Sequence, residues 1–265
     1  MAQIKEKTTS KIEMTDGVLI PDRSEKGLFT AWRITFFGAI ALLIGLPLFS
    51  PEPYFDIIKF LPDGILATFA VTFPSIFFAL IIGLIAGLGR LSRNSLINGI
   101  ANIYVEVIRG IPLLVQLFYI YYAMGKIFKV PRMIAAITAL AVCYGAYIGE
   151  IFRAGIGSIS KGQMEAALSL GLTRWQAIRK IIVPQTIRVI LPPIGNEFIA
   201  LLKDSSLVSI ISVADLFRRG KEFASTHFNY FEVFTLVALI YLTLTLFLSR
   251  IVGFAEERMD NARKR

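Results

Sequence analysis

The sequence predicts an all-α, polytopic membrane protein of about six transmembrane helices, on three observations. Apolar runs of spanning length recur along the chain, separated by short polar segments. Of its 265 residues, 55% are hydrophobic and only 18% charged, with a mean hydropathy of +0.65, outside the usual balance of a soluble domain. The net charge of +9 is shared unevenly between alternate loops. Enzyme chemistry has little to work with. The lone cysteine, Cys143, excludes an internal disulfide or a cysteine metal cluster. The lone histidine, His227, leaves no histidine pair to build on.

Taken in order, residues 1–27 are polar, mixed in charge and without periodicity, and read as a cytoplasmic tail. The transmembrane region spans 28–253, and residues 254–265 form a second cytoplasmic tail. Ile34 to Ser50, 17 uncharged residues extended by Leu28 to Trp32, suit a first span. Pro51, Pro53 and Pro62 mark an external loop with a short amphipathic turn, Tyr54 to Phe60. Ile65 to Gly89 is the clearest span, 25 uncharged residues ending at Arg90. Tyr104 to Gly125 and Met133 to Gly149 are the third and fourth. The fifth, Val189 to Ala214, is apolar but carries Asn196, Glu197, Lys203 and Asp204, and Pro192-Pro193 is expected to break its helix. Val233 to Ser249 is the last. Nineteen Lys and Arg fall on the segments assigned to the inside and seven on those assigned to the outside. That bias sets both termini and the central loop in the cytoplasm, with membrane lipid, not nucleic acid, as counterpart to the charge.

The long polar interruption is Ser160 to Gln185, SKGQMEAALSLGLTRWQAIRKIIVPQ. Ser160 with Gln163 reads as a capping box, placing Glu165 in the first turn of a helix that Gly171 closes in the left-handed conformation. Thr173 with Gln176 repeats the signal, and Pro184 is expected to stop the second helix. Trp175, Ile178 and Ile182 share one face of it. On these residues alone the segment is an amphipathic hairpin that could lie on anionic lipid.

The same residues carry a resemblance. Glu165-Ala166-Ala167, three residues, Gly171, nine residues, Ile181, then Val183-Pro184 resembles the EAA loop of bacterial ABC importer permeases, with Val183 where that family usually has Leu. The likeness runs on through Glu106-Val-Ile-Arg109-Gly-Ile-Pro112, Tyr144-Gly-Ala-Tyr147-Ile-Gly-Glu150, Gly195-Asn196-Glu197 and Leu202-Lys203-Asp204. These are similar to the polar amino-acid uptake permeases of the histidine/glutamate/glutamine/opine group, over a core of about 64–253. The resemblance implies the ABC type I importer transmembrane fold, with residues 160–185 as a cytoplasmic coupling-helix loop. It implies a non-enzymatic subunit of the bacterial inner membrane that works as a dimer, with a second copy or a homologous permease. A separate pair of ATPase subunits would hold ATP and magnesium, since this chain has no phosphate-binding Gly-rich Lys run and is expected to bind no cofactor. An extracytoplasmic solute-binding protein would deliver an amino-acid substrate. A methionine or other small-solute permease, or a self-sufficient channel or carrier, are the alternatives.

Two sets of residues follow. Glu165, Ala166, Ala167, Leu168 and Gly171 are expected to couple to the ATPase, with Ala166, Ala167 and Leu168 as docking surface. For the substrate pathway, Glu150, Glu197, Lys203 and Asp204 are ionisable groups at or near membrane depth, where such groups are functional by default. Lys203 and Asp204 could instead compensate each other, and Glu150 could sit at the cytoplasmic interface. Gln116, Tyr147 and Asn196 could hydrogen-bond a substrate's α-amino and α-carboxylate groups, or tie helices together.

Overall fold

A computed structural model of the chain describes residues 30–261; the expected tail over 1–27 lies outside the described residues, as do 28–29 and 262–265. The described chain is helical throughout its ordered elements. Helix α1 (Ala31–Phe49) opens under a Thr30 cap, whose hydroxyl accepts from the Arg33 backbone N–H. It is followed by α2 (Pro51–Phe60) and α3 (Pro62–Arg90), the long helix that the 25-residue uncharged run predicts. Next come α4 (Ser95–Gly110), α5 (Leu113–Phe118), a π-helical turn at Tyr119–Met124, α6 (Gly125–Phe128) and α7 (Arg132–Gly157). The second half contains α8 (Lys161–Ser169), α9 (Arg174–Ala177), a π-helical turn at Ile178–Ile182 and α10 (Val183–Asp204). A 3-10 helix at Ser205–Ile211, α11 (Leu216–His227) and α12 (Tyr230–Asn261) complete it.

Everything is arranged around the α3–α7 pair. Gly83 and Gly87 on α3, four residues apart, both meet Gly149 on α7, and Gly145 one turn earlier meets Ile82 of α3, so small residues line both sides of the crossing. A Cβ on Gly83 would stand 2.6 Å from Ile148 Cγ2, and one on Gly87 2.8 Å from the Gly149 carbonyl oxygen. Only bare backbone fits there. Val71, Ala79, Leu117, Leu140, Ile148, Leu201 and Val208 form the main buried core about this pair, drawing in α5, α10 and the 3-10 helix. A second core joins α2, α11 and α12 to the start of α3 through Ile57, Leu61, Leu216, Phe223 and Leu236. Between the cores, Asp215 is fully buried and caps α11, accepting from the backbone N–H groups of Phe217 and Arg218 at 3.2 and 3.1 Å. Helix α1 packs only at the periphery, on α12 and α2, where Trp32 Nε1 donates to the Leu246 carbonyl at 3.1 Å.

Three helices depart from expectation. The third span is not one helix: α4 and the α5 segment meet at 103° across Ile111-Pro112, because Pro112 withholds an N–H and drives Ile111 into extended geometry. The fifth is the reverse case. Pro192 and Pro193 sit inside an unbroken α10, and the break comes only at the 3-10 helix and the left-handed Ser212. Packing sustains the helix there: Gly195 admits Val252 of α12, while Ile199, Leu201 and Leu202 are buried. The last helix runs on to Asn261, past the end expected at Ser249, carried by good helix formers and an Arg250–Glu257 ion pair at 3.9 Å. By length and apolar composition the described residues supply four spanning helices, or five with the bent pair; α10, with its ionisable residues, is not among them.

Candidate functional site

The hairpin of α8 and α9 is built much as its residues suggest at one end and differently at the other. Thr173 and Gln176 form the full capping box, each side chain bonded to the other's backbone N–H at 3.3 and 2.9 Å. Gly171 has φ +79°, the left-handed conformation the bend requires. At the first helix Ser160 accepts from the Gly162 N–H, and Gln163 turns away to accept from Gln185 Nε2 at 3.3 Å, so no box forms there. With Ser160 as the cap, Glu165 falls in the second turn, not the first. Ala167 is only 1% exposed, packed within the hairpin, so the outward surface is Glu165, Ala166 and Leu168, extended by Leu170 at 82% and Trp175 at 69% exposure. Nor does Pro184 end the second helix. It lies in the first turn of α10, where a missing N–H is tolerated, and the π-helical turn Ile178–Ile182 joins α9 to α10 without a loop.

The pathway candidates separate into two groups. Glu150, on α7, belongs to a closed polar lattice. Both Arg90 and Arg153 pair with its carboxylate. Arg90 Nε also donates to Asn102 Oδ1 at 2.6 Å, Asn98 Nδ2 donates to the Arg90 carbonyl at 2.6 Å, and Asn102 Nδ2 donates to Asn98 Oδ1 at 2.7 Å. The lattice straps α3, α4 and α7 together.

The other group faces α10. Asn196, Glu197 and Asp204 come from that helix, the two acids seven residues apart and so on one face. Asp204 accepts from the Tyr144 hydroxyl at 2.8 Å, and the Tyr144 and Tyr147 rings lie 6.1 Å apart. The Glu197 carboxylate makes no hydrogen bond or ion pair among the described residues, and Asn196 Oδ1 is buried without a partner. Lys203 is exposed and does not pair with Asp204. Gln116 donates from Nε2 to the Ile108 and Ile111 carbonyls at 2.7 and 2.8 Å, holding the break in the third span closed, while its Oε1 is buried and unpartnered. Two participants lay outside the candidate set: Tyr144, and Arg109, whose guanidinium stands 5.1 Å from the centroid of the Tyr147 ring. Arg109 carried the signal that could have found it, a charge within a spanning segment. A cleft of about 750 Å³, almost wholly apolar, is lined by Ile108, Val115, Tyr119, Ile134 and Val142 and shares only Gln116 with the candidates. A polar solute has nothing to bind there. It is the α10 group that offers unpaired polar atoms.

Residues 79–261 match the family described as binding-protein-dependent transport system inner membrane component. Among relatives, the glutamine transport system permease protein of Escherichia coli (strain K12) is 40% identical over 205 residues, 76% of this chain and 94% of that one. The L-cystine transport system permease protein of Bacillus subtilis (strain 168) is 38% identical over 202 residues, 76% and 86% of the two chains. The crystal structure of an amino acid ABC transporter with histidines superposes with a TM-score of 0.72 at 38% identity, covering 82% of this chain and 98% of that one. An inward-facing structure of the MetNI methionine ABC transporter gives 0.64 at 24% identity, covering 79% and 99%, a likeness of fold alone.

Proposed function

This chain belongs to the family of binding-protein-dependent transport system inner membrane components, a multi-pass membrane transporter subunit and not itself an enzyme, and from that premise we propose that it is the permease of an ATP-driven importer for polar amino acids. The observation that carries the reading is the breadth of likeness to an amino-acid permease, 94% of whose length is matched at 40% identity. Family membership leaves no place for a self-sufficient channel, and the methionine transporter's likeness, being of fold alone, gives no ground for that substrate.

The proposed mechanism follows from the continuity between hairpin and pathway. Exposed Leu168, Leu170 and Trp175 offer an apolar face to an ATPase subunit, edged by Arg174, Arg179 and Lys180. ATP and magnesium belong to that pair of subunits, and a second permease copy or homologue completes the dimer. When the ATPase subunits close, each draws its hairpin with it. Because α9 runs through the π-helical turn into α10, the displacement passes straight into the helix bearing Asn196, Glu197 and Asp204. Alternating access is then a two-state equilibrium biased by nucleotide inside and by the solute-binding protein outside. The charge bias assigns the hairpin and both termini to the cytoplasm. The test is reconstitution in vesicles with the ATPase and the binding protein, measuring uptake of L-glutamine, L-cystine and other amino acids. ATP-dependent accumulation of at least one is expected. Accumulation by the chain alone would overturn the reading.

A further inference from the structure

On the reading of this chain as an amino-acid permease, we propose that Arg109 is the cation that recognises the substrate's α-carboxylate, standing opposite Glu197 across the pathway. Its placement is built. Arg109 lies on the last turn of α4, and the carbonyls of Ile108 and Ile111, on either side of it, are both held by the Gln116 side-chain amide. The buried Gln116 thus fixes the backbone on which Arg109 stands, at the one place where the third span is broken.

Its donors are unspent. Arg90, Arg153, Arg218 and Arg219 are each paired with carboxylates, whereas Arg109 forms no ion pair with any described carboxylate. Its contact is with the face of Tyr147, and a guanidinium resting on a ring uses none of its five N–H groups in doing so. The Tyr147 ring lies 6.1 Å from that of Tyr144, whose hydroxyl bonds Asp204, so contacts link Arg109 to the α10 face that carries Glu197, itself without an ion pair among the described residues. An acid and a base gathered in one cluster and not paired with each other leave the charge pattern of a zwitterion unfilled. An α-ammonium satisfies Glu197 and the neighbouring Asn196 Oδ1; an α-carboxylate takes the planar fork of Arg109. Lys203 is the rival cation and is exposed as Arg109 is, but no aromatic ring seats it among the described residues, and it stands next to an Asp204 already bonded to Tyr144.

The test uses the purified permease–ATPase complex without binding protein, so that no other subunit selects the ligand. L-glutamine and L-arginine are each compared with their α-carboxamides by calorimetry. The wild-type complex should bind the free amino acids about tenfold or more tightly than the amides. Arg109→Gln should abolish that ratio, and Arg109→Lys should retain part of it. If Arg109→Gln does not assemble, Arg109→His replaces it. Amino-acid binding should then weaken from pH 5 to pH 7 as the imidazole loses its proton, while amide binding stays level, its own α-amine titrating only above that range. An Arg109→Gln complex that keeps the wild-type ratio, or a wild-type complex that binds acids and amides alike, overturns the assignment. A wild-type complex that binds neither amino acid nor amide defeats the permease reading instead.

Discussion

Glu150 and Glu197 are both acids carried on membrane helices, and they live in opposite circumstances. Glu150 has two guanidinium partners, and its neighbours Asn98 and Asn102 are bonded in turn. Glu197 has none within the described chain. A half-buried charge costs free energy unless it is paired, so a lattice like that of Glu150 holds helices in place, whereas a vacancy like that of Glu197 is tolerated where a ligand or partner completes it. The same residue type is thus fully paired at one site and left open at the other.

The comparison can be broken by substitution. Glu150→Ala strands two arginines and should lower stability by about 2–3 kcal/mol, seen as a lower Tm of the purified protein in detergent. An unchanged Tm would deny the lattice its bracing role. Glu197→Gln should act the other way. Uptake should fall about tenfold or more, the loss of a charged hydrogen bond to substrate, while Tm stays level or rises. Equal destabilisation by both variants would erase the distinction. Gly171→Ala sharpens it from a third position: a Cβ there meets nothing within 4 Å, so the cost of about 1 kcal/mol comes from φ +79° alone. A bulky residue at Gly171 should add loss of ATP-driven uptake with the spans still inserted, and unimpaired uptake would count against hairpin docking. A third acid, Asp215, is fully buried and well bonded. Burial pushes its carboxyl up to about 6, so it contributes stability that is present below about pH 4 and lost as pH rises through 6. Asp215→Asn keeps an acceptor for the cap and should remove that pH slope from unfolding curves.

What could be read from the residues was what depends on near neighbours. The α3 span follows from an uncharged run, Gly171 from the need for a left-handed residue, and the Thr173–Gln176 box from a three-residue spacing. What escaped depends on residues distant in the chain. Gln163 fails its box because Gln185, 22 residues later, claims it. Ala167 turns inward because the hairpin packs on itself, and the proline pair leaves α10 whole because Val252 seats against Gly195. Glu197 was legible as a candidate from its charge at membrane depth, but its lack of a partner was not. Arg109 was legible only as a charge at a helix entry or within the membrane; its place on the Tyr147 ring comes from the fold.

The crossing of α3 and α7 has a mechanical consequence. With Gly83 against Ile148 and Gly87 against the Gly149 carbonyl there is no slack for one helix to slide past the other, and a packed contact of that kind switches as a block or not at all. The two helices therefore form a keel that keeps its shape through the transport cycle. Bending is left to the joints on either flank: the kink at Ile111-Pro112, where Gln116 is the pin, and the left-handed corner at Ser212 beyond α10.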